Sequence, residues 1–103
     1  MVGYRIGGLE FEWDDEKAEG NIVKHGVSFL EAASAFLDRD QERIPDIEHS
    51  EHEDRFLLLA ESFRHRILVV SHTARGRLIR LISARVAKPR ERRRYEDVRD
   101  GRR

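Results

Sequence analysis

Two arginines interrupt the most strand-like run of this chain. In LIRLISARV, Leu78, Ile79, Leu81 and Ile82 read as a buried strand, yet Arg80 and Arg85 sit among them. A guanidinium carried toward an interior is very costly unless a carboxylate or a bound anion meets it. Its planar fork matches phosphate oxygens as well as carboxylate oxygens. Regular alternation assigns Arg77, Ile79, Leu81, Ser83 and Arg85 to one face, and Leu78, Arg80, Ile82, Ala84 and Val86 to the other. Neither face is clean, so at least one arginine must turn to the interior, a rim or a ligand. Glu53, Asp54 and Glu61 are candidate protein partners, and a phosphate is the alternative.

The arginines continue into KPRERRRYEDVRD. On a helix, Arg92/Glu96 and Arg93/Asp97 fall at i, i+4 and read as a solvated, self-paired face. Arg90, Arg92, Arg93, Arg94, Arg99, Arg102 and Arg103 still exceed the nearby acids and would attract a nucleic-acid backbone. Tyr95 has two readings, stacking on a base or docking the helix on the core.

Asn21, Lys24 and His25 share one side of a helix, with a positive charge and a group that titrates near neutrality. Compensation of the helix dipole explains Lys24 and His25 equally well. The segment His49-Ser50-Glu51-His52-Glu53 carries a weak His-x-x-His signal for a metal, without a third ligand at fixed spacing; a lone Glu53 or His49 reaching a catalytic groove is the stronger reading. No Gly-rich phosphate loop, G-x-S-x-G elbow or H-E-x-x-H motif is present, which argues against nucleotide phosphoryl transfer and serine hydrolysis.

The elements that must position these groups follow from pattern. Residues 1–10, with Gly3, Gly7 and Gly8, read as weakly structured, and Phe11–Trp13 as a short strand. Asp14 or Asp15 caps a helix that Gly26 ends. Ser28 and Glu31 form an S-x-x-E box ahead of the stripe Phe29, Ala32, Ala33, Phe36 and Leu37. A short edge strand around Arg43–Ile47 is restricted by Pro45. Three strands follow, Arg55–Phe63, His65/Arg66–Thr73 and Arg77–Val86, with joints short enough for an antiparallel meander. Pro89 opens a last helix running to about Arg99, and residues 100–103 form a basic tail. The expected architecture is one α+β domain over residues 1–103, two layers deep, with helices on one sheet face and the other face partly open.

The net charge of +0 hides a strong asymmetry. Residues 1–54 carry 5 Lys/Arg against 15 Asp/Glu, a net of −10; residues 55–103 carry 15 against 5, a net of +10. The basic half points to a polyanion partner. Absence of cysteine excludes disulfides and thiolate chemistry. No apolar run reaches a membrane-spanning length, and MVGYRIGGLEFEW has no signal-peptide core, so a soluble cytoplasmic protein without membrane association is expected.

The segments FEWDDEKAEGNIVKHGVSFLEAASAFLD, HSEHEDRFLLLAES, RILVV and IRLISARVAKPRERRRYE together resemble the BrnT family of bacterial toxins, from Phe11 to about Tyr95. The most specific parts are Phe11–Asp14, Lys24–Val27, and Ile82–Arg85 with Glu91 and Tyr95. The resemblance implies a RelE-like α+β fold and a ribonuclease that blocks translation. It implies a BrnA-like antitoxin whose ribbon-helix-helix part binds operator DNA, so that this chain meets DNA only through the complex. Family features carry onto Lys24, His25, Arg80, Ser83, Arg85, Glu91 and Tyr95. Ser62 departs from the pattern, where a glycine is expected between the first two meander strands.

A ribonuclease of this kind needs no metal or other cofactor, because the ribose 2′-OH attacks the adjacent phosphate. The protein must position it, stabilise the phosphorane and protonate the leaving oxygen. The expected catalytic residues are Arg80 and Arg85 on the phosphate, Lys24 assisting, and His25 as acid or base, with His72 and Glu53 behind it. Arg77, Ser83, Arg92, Arg93 and Tyr95 are the expected RNA contacts. The alternative reading is a non-catalytic nucleic-acid-binding or protein-interaction module.

Overall fold

The computed structural model describes residues 2–101, so Arg102 and Arg103 of the basic tail lie outside the described residues. Six strands form one mixed sheet: β1 (Val2–Ile6), β2 (Leu9–Trp13), β3 (Glu42–Pro45), β4 (Phe56–Glu61), β5 (Ile67–Arg75) and β6 (Leu78–Val86), ordered β1-β2-β6-β5-β4-β3. Three helices complete the fold: α1 (Asp15–His25), α2 (Phe29–Ser34) and α3 (Pro89–Arg99). None of the described helices is long and apolar enough to cross a membrane.

Local chemistry sets the helix ends. Asp14 accepts from the backbone N–H of Glu16 and Lys17 at the start of α1, and Gly26 ends it at φ 68°. Ser28 caps α2 by accepting from Glu31 N–H at 3.0 Å. The Glu31 side chain does not complete the expected box. It is buried and pairs with Arg66 through both carboxylate oxygens, while Ser62 Oγ donates to Oε2 at 2.7 Å. Arg66 holds the Glu31 carboxyl below its ordinary range, against the opposing effect of burial. Ser62 thus has a partner that a glycine there would lack. The α2 stripe also shortens: Ala35–Leu37 is a 3-10 turn, and Leu37 is exposed while Phe36 stays buried.

The meander is present, but as the centre of a larger sheet. Residues 2–10 are not weakly structured: Gly7 and Gly8, both at positive φ, turn β1 back onto β2, and Tyr4 stacks on Trp13 at 4.1 Å. β2 then pairs in parallel with β6, through Glu10↔Leu78, Phe11↔Ile79 and Glu12↔Arg80. That long-range parallel contact makes the sheet mixed.

The helices are not all on one face. α1 and α2 cover a core that includes Phe11, Leu58, Leu68, Val70, Leu81 and Ala84. α3 lies on the other face, where Tyr95 and Ala87 pack on Leu59 and Val69, with Leu57 and Ile67 beside them. The runs FLLLA and ILVV are apolar on both faces, so each face needs a cover. Only the part of the second face beyond α3 stays open.

Candidate active site

β6 does not alternate regularly. Ser71 opposes Ser83, but the next residue of β5, His72, opposes Leu81, so Ile82 is an extra residue on β6. Such a bulge shifts the side-chain parity by one. Ile79, Leu81, Ala84 and Val86 therefore all pack on the α1–α2 core. The other face receives Arg80, Ser83 and Arg85, opposite Thr73, Ser71 and Val69 of β5. Regular alternation had set Arg80 and Arg85 on opposite faces, and the bulge puts them on one.

α1 is fastened to the unpaired edge of β6. Buried Asn21 accepts from Ala84 N–H at 3.0 Å and donates to Ala84 C=O at 2.8 Å and to Val27 C=O at 2.8 Å. These bonds satisfy backbone groups that no neighbouring strand reaches, since β2 pairs with β6 only over residues 78–80. Asn21 is thus a structural clamp, and it brings His25 to the edge of the open face.

A groove of about 420 Å³ lies there. Its floor is Leu57, Val69, Ser71, Ile82 and Ser83; its charged and titratable walls are His25, Asp46, Glu48, His49, Arg55 and Arg85. Arg85 is clamped by Glu91, with Nη1 donating to Oε1 and Nη2 to Oε2, each at 2.8 Å. The Arg85 hydrogen bonds hold the Glu91 carboxyl down at about 2. The partner is Glu91 of α3, not Glu53, Asp54 or Glu61. The clamp and a longer bond to Val86 C=O engage three of the five guanidinium N–H donors, so the rest remain for a phosphate. Arg55 adds a second cation whose Nε is buried with no hydrogen-bond partner; the nearest carboxylate oxygen, on Glu53, is 4.0 Å away. An unpaired buried donor of this kind favours an anion.

The expected site residues divide. His25, Ser83 and Arg85 meet in the groove, and Arg80 stands on the same face farther along β6, beside Glu12. Lys24 is exposed next to His25 but does not line the groove. Arg77 is in the Gly76-Arg77 turn at the far end of β6. Arg92 and Arg93 are exposed on α3, Arg92 lining a separate hollow with Glu61, His65 and Glu96. Tyr95 is buried, and its hydroxyl donates to Asp38 Oδ2 at 2.5 Å. It docks α3 and has no face for a base, because the apolar second face needs its ring as cover.

Neither residue placed behind His25 as an acid or base reaches the groove. His72 is fully buried on the core face between Phe36 and Phe56, and burial pushes it down to about 4. Glu53 pairs with Arg75 at 3.5 Å. Of the residues read as reaching a groove, His49 lines it; sequence reasoning missed Arg55, Ser71 and the pairing of His49 with Asp46. For the pair, the Asp-x-x-His spacing was the only available signal.

No curated protein sequence matches the chain. Among solved structures, it is similar to the Brucella abortus ribonuclease toxin BrnT, with a TM-score of 0.59 and 25% identity over 76% of this chain and 95% of that one. The family described as "Ribonuclease toxin, BrnT, of type II toxin-antitoxin system" matches residues 13–91, which include Arg55, Arg85, Glu91 and both groove histidines. With most of its length, strands β3 to β6 and its candidate groove inside that match, the chain belongs to the BrnT family of ribonuclease toxins.

Proposed function

We propose that the chain is a metal-independent endoribonuclease with a RelE-like fold that arrests translation in the cytoplasm. A BrnA-like ribbon-helix-helix antitoxin neutralises it, and operator DNA is met only through that complex. The observation that carries the catalytic reading is the convergence of Arg85, Arg55 and His25 around a serine-floored groove. Two guanidiniums there supply charge to a phosphorane, one braced by Glu91 and one with an unpaired Nε. His25 exchanges a proton with a reacting oxygen, and Ser83 orients the phosphate. Arg80 holds the next phosphate along β6, while Lys24, Arg77, Arg92 and Arg93 attract the RNA backbone from outside the groove. Tyr95 contributes by holding α3, and with it Glu91, in place.

The test is RNA cleavage by the purified protein in excess chelator. Arg85→Ala and Arg55→Ala are expected to reduce cleavage by about 100-fold or more each while the protein stays folded. Full activity in both variants would refute the groove as the active site. One observation favours a second reading: Glu91 already meets Arg85, as a purely structural ion pair would. A non-catalytic RNA-binding module would bind RNA in a salt-dependent way and yield no products.

A further inference from the structure

Two imidazoles, not one, line the groove with Arg85. His25 comes from the end of α1 and His49 from the 3-10 turn Ile47–His49 between β3 and β4. His49 is fixed where His25 is not: its Nδ1 lies 2.9 Å from Asp46 Oδ2, and the Asp46 side chain is largely buried. An ionised carboxylate only accepts hydrogen bonds. A neutral His49 therefore carries its proton on Nδ1 and presents a lone pair on Nε2. The charged groups around it in the groove are Asp46, Glu48, Arg55 and Arg85. On its outer side stand Glu51, His52 and Glu53.

We infer that His49 is the general base of the cleavage reaction, with Asp46 as its positioning residue and His25 as the general acid. This rests on the ribonuclease reading and names the proton path within it. His49 Nε2 takes the proton from the ribose 2′-OH as the 2′-oxygen bonds to phosphorus. The phosphorus–5′-oxygen bond breaks, and His25, protonated, gives its proton to the departing 5′-oxygen. The products are a 2′,3′-cyclic phosphate and a 5′-hydroxyl. One proton leaves the substrate and one returns, so no metal, oxidant or water is consumed. Arg85 and Arg55 stabilise the charge on the non-bridging oxygens throughout.

The experiment measures cleavage of a short oligoribonucleotide against pH, in chelator, by the wild-type protein and by the H25Q, H49Q and D46N variants. A second substrate carries sulfur at the bridging 5′ position, whose leaving thiolate needs no proton. H49Q is expected to lose about 100-fold on both substrates, together with the acidic limb of the pH profile. H25Q should lose as much on the oxygen substrate and recover most of it on the sulfur one. D46N should lower kcat about tenfold with little change in KM, and change the tautomer of His49 seen by nitrogen NMR. A surface ion pair without a catalytic role would leave the rates, the pH profiles and kcat unchanged, whatever the tautomer. Wild-type cleavage with an H49Q profile unchanged, or rescued by sulfur, overturns this inference and leaves the ribonuclease reading standing. Absence of cleavage by the wild-type protein overturns both.

Discussion

The clamp on Arg85 sets the chemistry of the groove at the level of single side chains. Glu91 lies six residues beyond Arg85, across the joint between β6 and α3, and its Oε1 also accepts from Lys88 N–H at 2.8 Å. Its carboxyl, ordinarily near 4.5, falls to about 2 in the fold. A carboxyl depressed in this way stabilises the fold fully above its unfolded value, and that contribution disappears as the pH falls from about 4.5 toward 2. Both side chains are about a third exposed, so solvent screening limits the effect to the order of 1 kcal/mol. Glu91→Gln is expected to flatten that acidic loss in denaturant midpoints measured between pH 2 and 7. RNA cleavage at neutral pH should fall about tenfold, because Arg85 loses its charged brace. An unchanged rate in that variant would show that the brace does not serve the reaction. The partner was foreseeable in part, since Glu91 stands in the first turn after Pro89, directly beyond the strand end. The sequence offered only the type of partner that Arg85 needed, and three carboxylates elsewhere met that description equally well.

Elements with local signals were legible, and those made by distant pairing were not. Asp14, Gly26, Ser28 and Pro89 mark helix ends, and the structure uses each of them there. The Gly7-Gly8 turn is just as local, but its flanks are too mixed to read as strands without β6 beside them. Placement of α3 on the second face depends on how Leu57, Leu59, Ile67 and Val69 align across two strands, which no single segment reveals. Asn21 shows the same limit: it read as one of three polar residues on a helix side, and only the bare edge of β6 gives it a task. Asn21→Ala would leave the buried N–H and C=O of Ala84 without their side-chain partner. The expected loss is about 2–4 kcal/mol, read as a lower denaturant midpoint, with a further fall in cleavage as His25 loses its seat. A midpoint within experimental error of wild type would show that water replaces the clamp at no cost.

For the whole molecule, the two halves of opposite charge meet at the groove. Asp46 and Glu48 come from the half with net −10, and Arg55 and Arg85 from the half with net +10. The acidic half supplies one wall of this cavity, and elsewhere its Glu31, Glu42 and Glu53 pair with Arg66, Arg94 and Arg75 of the basic half. The logarithm of the RNA binding constant should fall linearly with log salt, with a slope near −0.7 for each phosphate engaged. Replacing Arg92 and Arg93 by Glu should lower affinity for all sequences alike and reduce that slope by about 1–2. An unaltered slope would place the RNA path away from α3. The asymmetry in charge was fully visible in the sequence, but where its border ran was not. The bulge at Ile82 has a final consequence for how this chain can change over time. Besides part of the groove floor, position 82 contributes a count. Many side chains can serve there, but removing the residue would turn everything from Ser83 to Val86 inside out, sending Ala84 out of the core and Arg85 into it. Among functional descendants, β6 should vary in spelling at this point and never in length.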